Sequence, residues 1–169
     1  MKDYTEFLKD KLHYGSDSGF APVFMADRLF DFQKSLTEWA IRKGRAAIFA
    51  DCGMGKTAME LTWAENIHRK TNKPVLILTP LAVTPQTLAE ADKFGIKAVR
   101  SGGRVRPGIN IINYERLHYF EPADFAGVVC DESSILKSFD GATRLRVTEF
   151  MRKMPYRLLA TATAAPNDY

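Results

Sequence analysis

The chain has 169 residues, 46% hydrophobic and 26% charged, which suits one globular domain with a full core and excludes a low-complexity or disordered chain. A net charge of +4 is too mild to name a partner, and two cysteines without CxxC spacing argue against a zinc site or a disulfide framework. No apolar run approaches the ~20 residues that cross a bilayer, and the first residues lack a signal-peptide core, so no membrane partner and a cytoplasmic setting are expected.

In chain order, Tyr4, Phe7, Leu8 and Leu12 fall at helical spacing and predict a short opening helix, followed by a Gly/Ser/Asp-rich loop. From Asp27 the helical pattern returns, with Leu29, Phe32, Leu36 and Trp39 on one face and Gly44 as the residue that ends it. Buried strands are then expected at 46–50, 74–79, 96–100, 109–113, 127–130 and 156–161. Helices are expected between most of them, at 56–70, 84–94, 114–120 and 142–153. Strands apolar on both faces and separated by helices predict a parallel sheet covered on both sides, a doubly wound α/β fold. Residues 1–26 are expected to form an N-terminal helix and loop, and residues 27–169 the domain proper.

Residues 47–61 read AIFADCGMGKTAMEL, an apolar strand, a glycine turn and a helix. The general phosphate-loop pattern is GxxxxGK[ST]; here Ala50 stands at its first position, followed by Asp51, Cys52, Gly53, Met54, Gly55, Lys56 and Thr57. Gly53 and Gly55 remain where inward-turned N–H groups need a backbone without Cβ. The helix N-terminus, opening through Ala58, adds dipole and free donors for phosphate. Lys56 is placed to reach the β/γ-phosphates and the Thr57 hydroxyl to ligate Mg²⁺. A plain Gly-rich turn with a chance Lys-Thr is the alternative reading. A partner acid should end another buried strand, and AGVVCDESS supplies Asp131 for the metal and Glu132 to orient and deprotonate water. Two acids capping the next helix are the alternative there.

Between Lys93 and Arg116 stand Lys93, Lys97, Arg100, Arg104, Arg106 and Arg116 against a single acid, Glu115. Such a run is a solvated face unless neighbouring segments also bind anions.

Read together, these motifs resemble the first RecA-like lobe of superfamily 2 helicases and translocases, closest to the Snf2-like branch and phage relatives, from about Leu29 to Asp168. The Ala-x-x-Gly-x-Gly-Lys-Thr form of the phosphate loop is usual in that family. LFDFQ, residues 29–33, looks like its Q motif, which implies that Gln33 reads adenine. LTPLAVTPQTLAEADKFG, residues 78–95, is similar to motif Ia, which implies that Thr79, Pro80 and Thr84 touch a nucleic-acid backbone. INIINYERL, residues 109–117, looks like a later strand-contacting motif and adds Asn113; the preceding RSGGRVRPG adds Arg104 and Arg106. DESSILKS, residues 131–138, resembles motif II, with Lys137 where Snf2-like proteins often place a lysine. It departs at Ser133 and Ser134, where the family more often has Ala-His or Gly-His. RLLATATAAPND, residues 157–168, looks like motif III, with Thr161 and Thr163 coupling the γ-phosphate state to movement.

The resemblance implies ATP and Mg²⁺ as cofactors, nucleic acid as a partner with DNA favoured over RNA, and a bacterial or phage-infected cytosol. It also implies a second RecA-like lobe, supplied beyond these motifs or by another chain, to complete an ATP hydrolase that drives movement on DNA. A phosphate-loop ATPase or kinase not acting on nucleic acid, and a non-catalytic binding lobe, are the other classes. The sheet order is expected to put residues 158–160 between 48–50 and 128–130, and both cysteines are expected near the nucleotide, with Cys52 the more reactive.

Overall fold

The computed structural model describes residues 17–50 and 55–162. The expected opening helix, the loop residues Asp51, Cys52, Gly53 and Met54, and Thr163 with the rest of motif III lie outside them.

Helix α1 (Asp31–Lys43) leads through Gly44 into β1 (Arg45–Phe49). Gly44 adopts φ 73°, a left-handed turn open to glycine, and its N–H bonds the Ala40 carbonyl. Helix α2 (Lys56–Thr71), β2 (Val75–Thr79), α3 (Thr84–Lys93), β3 (Ala98–Arg100) and β4 (Ile109–Asn113) follow. The chain closes with β5 (Gly127–Asp131), α4 (Gly141–Arg152) and β6 (Tyr156–Thr161). Residues 114–120, expected as a helix, form a 3₁₀ turn over Tyr114–Tyr119, a tighter geometry suited to a six-residue connection.

All strand pairs are parallel, in the order β1-β6-β5-β2-β4-β3. Leu158 pairs with Ala46 on one side and Val129 on the other, so β6 separates β1 from β5, as expected. The arrangement that would have marked a kinase-like class, with those two strands as neighbours, is not found.

Strand alternation sends side chains to two apolar layers. Ile48, Ile77, Val129 and Leu158 join Met59, Leu61, Trp63 and Ile67 of α2, with α1 and α3 on the same face. Leu76, Leu78, Val128 and Cys130 join Leu117, Phe120, Val147 and Phe150 on the other. The doubly wound reading therefore holds. Sandwiched between α1 and the sheet, α2 is buried almost all round, and its Trp63 Nε1 donates to the Ala40 carbonyl.

The inward face of α1 differs from expectation. Phe32 and Trp39 are 46% and 44% exposed, and Leu29 is buried but precedes the helix. The buried positions are Gln33, Thr37, Ala40 and Ile41. Small Ala40 and Thr37 let α1 lie close against α2, and packing outweighs the hydrophobicity of the larger ring at Trp39. Residues 17–26 are bonded onto the lobe: Gly19 and Phe20 donate to the Arg42 and Ile41 carbonyls, and Val23 and Phe24 N–H groups share Asn66 Oδ1.

Candidate nucleotide site and nucleic-acid face

A parallel sheet gathers the loops that leave its strand C-termini into one crevice. Here those loops carry Lys56 and Thr57 after β1, and Asp131 and Glu132 at the end of β5. Lys56 Nζ lies 3.4 Å from Asp131 Oδ1 and is hydrogen-bonded to Glu132 Oε1. Two backbone positions make this possible. Gly55 caps α2 at φ 74°, and a Cβ there would sit 2.1 Å from Gln33 Nε2. Glu132 adopts φ 51°, a left-handed conformation uncommon for a side-chain-bearing residue, which turns the chain sharply out of β5.

These residues open on a cavity of about 660 Å³ lined by Arg28, Phe30, Gln33, Ala50, Thr57 and Ala58, among others. Gln33 is buried, and its Oε1 accepts from the Phe30 N–H at 2.8 Å, which fixes the amide at the cavity wall. Phe30, 69% exposed and stacked on Phe32, forms the lip. On the far side α3 contributes Gln86, Glu90 and Lys93. Of these, Lys93 belongs to the basic run read from the sequence; Phe30, Gln86 and Glu90 were not singled out there.

One acid also escaped it. Glu60, a turn beyond Lys56 on α2, is fully buried beside Asp131. Burial pushes its carboxyl well above the usual range, the Asp131 charge adds to this, and Lys56 opposes it. Glu60 and Asp131 meet side chain to side chain, with Lys56 Nζ 3.4 Å from Asp131 Oδ1. The i+4 spacing of Glu60 from Lys56 was the available signal.

The expected nucleic-acid contacts divide. Thr79 and Thr84 are buried, and their hydroxyls bond each other at 2.8 Å. Their side chains are therefore not offered to a strand; Thr84 opens α3 rather than facing solvent, and only backbone groups near Pro80 remain for that role. Asn113 is buried with its amide on Glu115 Oε2 at 2.6 Å. Arg104 and Arg106 are exposed on a loop built by Asn110, whose side chain bonds the Arg106 N–H and carbonyl. Arg116 Nη1 ties that loop down through the Gly102 carbonyl. Lys137 is exposed after motif II. Thr161 is buried, and its carbonyl accepts the Ala50 N–H, joining β6 to the start of the phosphate loop. Cys130 lies one residue from Asp131 but faces the other layer, its thiol 3.4 Å from Met151 Sδ. Burial pushes that thiol up to about 12, so it is an unreactive core residue rather than part of the crevice.

No protein-family model matches the chain. It superposes on the Sulfolobus solfataricus SWI2/SNF2 ATPase core in complex with dsDNA with a TM-score of 0.71 at 20% identity, over 88% of this chain and 35% of that one. It superposes on the UvsW helicase of bacteriophage T4 with a TM-score of 0.63 at 12% identity, over 92% of this chain and 60% of that one. The fold shared with these helicase and ATPase cores is RecA-like. A curated relative, the putative protein p41 of Acyrthosiphon pisum secondary endosymbiont phage 1, is 28% identical over 73% of this chain and 33% of its own length. The RecA-like lobe thus spans about a third of that relative. Among its described residues no helix is long and apolar enough to cross a membrane.

Proposed function

We infer that this chain is the ATP-binding lobe of a nucleic-acid-dependent ATPase, a superfamily 2 helicase or Snf2-like DNA translocase that works when paired with a second lobe. The observation that carries the reading is the convergence of Lys56, Asp131 and Glu132 from two separate strand ends, at the mouth of one cavity. Lys56 is then the phosphate ligand, and its present bonds to the two carboxylates hold the ammonium in place until phosphate replaces them. Glu132 accepts the proton of the attacking water. Gln33 and Phe30 frame the base.

The residues fit a divalent cation: Asp131 carries a buried carboxylate in the cavity lining that Thr57 shares, and carboxylate and hydroxyl oxygens are the hard donors Mg²⁺ prefers. Asp131 and Thr57 would hold it, and it would supply charge neutralisation to the phosphates. Support for DNA comes from the exposed Arg104 and Arg106 loop on the same chain and from the dsDNA held by the Sulfolobus core.

The test is steady-state ATPase with and without DNA, in a form carrying the second lobe. Lys56→Ala should abolish turnover, and Glu132→Gln should retain nucleotide binding while lowering turnover by about 10²–10⁴. Turnover unaffected by Glu132→Gln would point to a non-catalytic lobe. ATPase activity indifferent to DNA or RNA would leave an ATPase that does not act on nucleic acid.

A further inference from the structure

Tyr114 is the first residue after β4, between the buried Asn113 and the exposed Arg116. Its side chain turns inward and is buried. The hydroxyl donates to the Asp131 carbonyl at 2.6 Å, and the ring packs on Phe139 with centroids 5.5 Å apart. Between those two contact points runs the turn Ser133–Ser138, headed by Glu132 in its left-handed conformation. One side chain therefore grips both ends of the segment that carries the water-activating carboxylate.

The reach is unusual. Strand β2 lies between β4 and β5, so the bond spans two interstrand spacings, about 9.5 Å. It is possible because pairing of β2 with β5 ends at Leu78 and Cys130, one residue before Asp131. On the outer side, Arg116, two residues on from Tyr114 in the same 3₁₀ turn, bonds the Gly102 carbonyl of the Arg104/Arg106 loop. A continuous path of two hydrogen bonds and one short turn joins the basic loop to Glu132.

We propose that Tyr114 is a positioning residue that links nucleic-acid contact at the 101–116 surface to the setting of Glu132. The link rests on the nucleic-acid reading above and supplies a coupling route in a chain that has Ser133 and Ser134 where a motif II histidine would stand. A strand pressing on the basic loop and Arg116 shifts the Tyr114–Tyr119 turn, and the Asp131 carbonyl moves with the hydroxyl. Spatial continuity is only a route, and coupling must be measured as reciprocal linkage between two ligands.

The experiment uses the full 169-residue chain, a fluorescent non-hydrolysable ATP analogue with Mg²⁺, and a DNA oligonucleotide. Analogue affinity with saturating oligonucleotide, divided by affinity without it, should depart from one by about fivefold or more in the unaltered chain. Tyr114→Phe should bring the ratio to one while each ligand alone binds as before. Amide exchange of residues 132–139 should slow in the unaltered chain when oligonucleotide is added, a readout that does not depend on the variant folding. A ratio preserved in Tyr114→Phe, a ratio of one in the unaltered chain, or exchange unmoved by oligonucleotide overturns the proposal. No oligonucleotide binding at all overturns the nucleic-acid reading first and the link with it, and shows in the binding arm alone.

Discussion

Glu60 is the residue whose chemistry departs most from its sequence setting, an acid inside a helix that is otherwise core. Its folded-state pKa is raised, so the folded chain binds its proton more tightly than the unfolded chain does. Stability from this group is therefore complete below the unfolded value near 4.5 and is lost as pH rises through the folded value. In the absence of divalent cation, Glu60→Gln should flatten that decline and stabilise the chain at neutral pH, as read from urea melts across pH 5 to 8. Thr79 and Thr84 make a second residue-scale case. Thr84→Val leaves the Thr79 hydroxyl buried without its partner, costing about 1–3 kcal/mol, while the double valine variant should recover much of the loss. Because neither hydroxyl faces solvent, DNA affinity should be unchanged by the pair, as measured by anisotropy.

At the scale of elements, the phosphate-loop turn and the basic loop carry the sharpest expectations. Gly55→Ala combines a left-handed φ with a Cβ 2.1 Å from Gln33 Nε2, so it should cost at least about 1–2 kcal/mol and loosen the Q-motif amide, read by thermal melting and nucleotide affinity. Arg104→Ala with Arg106→Ala should weaken DNA binding uniformly across sequences and lower the slope of log K against log salt by about 1.8 on duplex. An unchanged slope would make the loop a solvated face. The central strands and the longer helices were legible because apolar runs and 3.6-residue spacing follow from burial itself; the buried strand expected at 96–100 is instead a short edge strand, Ala98–Arg100, with no buried residue, because an edge position leaves one side of it open. The buried side of α1 was not, since Trp39 scores high on hydrophobicity while close packing against α2 selects Ala40 and Thr37. The meeting of Lys56, Asp131 and Glu132 was legible because the C-terminal ends of two strands in one parallel sheet open on the same crevice. Tyr114 and Glu60 were hidden: each acts across two elements, and a tyrosine after a strand or a glutamate in a helix reads locally as ordinary. The outward role expected of Thr79 and Thr84 failed for the same reason, because only the fold shows that the two hydroxyls meet.

At the scale of the whole molecule, the crevice among the described residues is formed by Lys56, the two acids, Gln33 and Phe30, with Gln86, Glu90 and Lys93 of α3 opposite. On the proposed reading, arginines supplied by a second lobe would stabilise charge on the transferring phosphoryl group, an effect worth about 10³–10⁵ in rate where arginine fingers act on GTP hydrolysis. The 169-residue chain by itself should therefore bind Mg·ATP weakly, turn it over orders of magnitude more slowly than a two-lobed enzyme, and respond little in rate to nucleic acid. Supplying a second lobe, fused or in trans, should restore rate and stimulation together. The most direct measurement is calorimetric titration of Mg·ATP into the 169-residue chain and into its Lys56→Ala and Glu132→Gln variants. The account predicts one weak site in the unaltered chain, retained in Glu132→Gln and lost in Lys56→Ala. Equal binding with and without the Lys56 ammonium would contradict it.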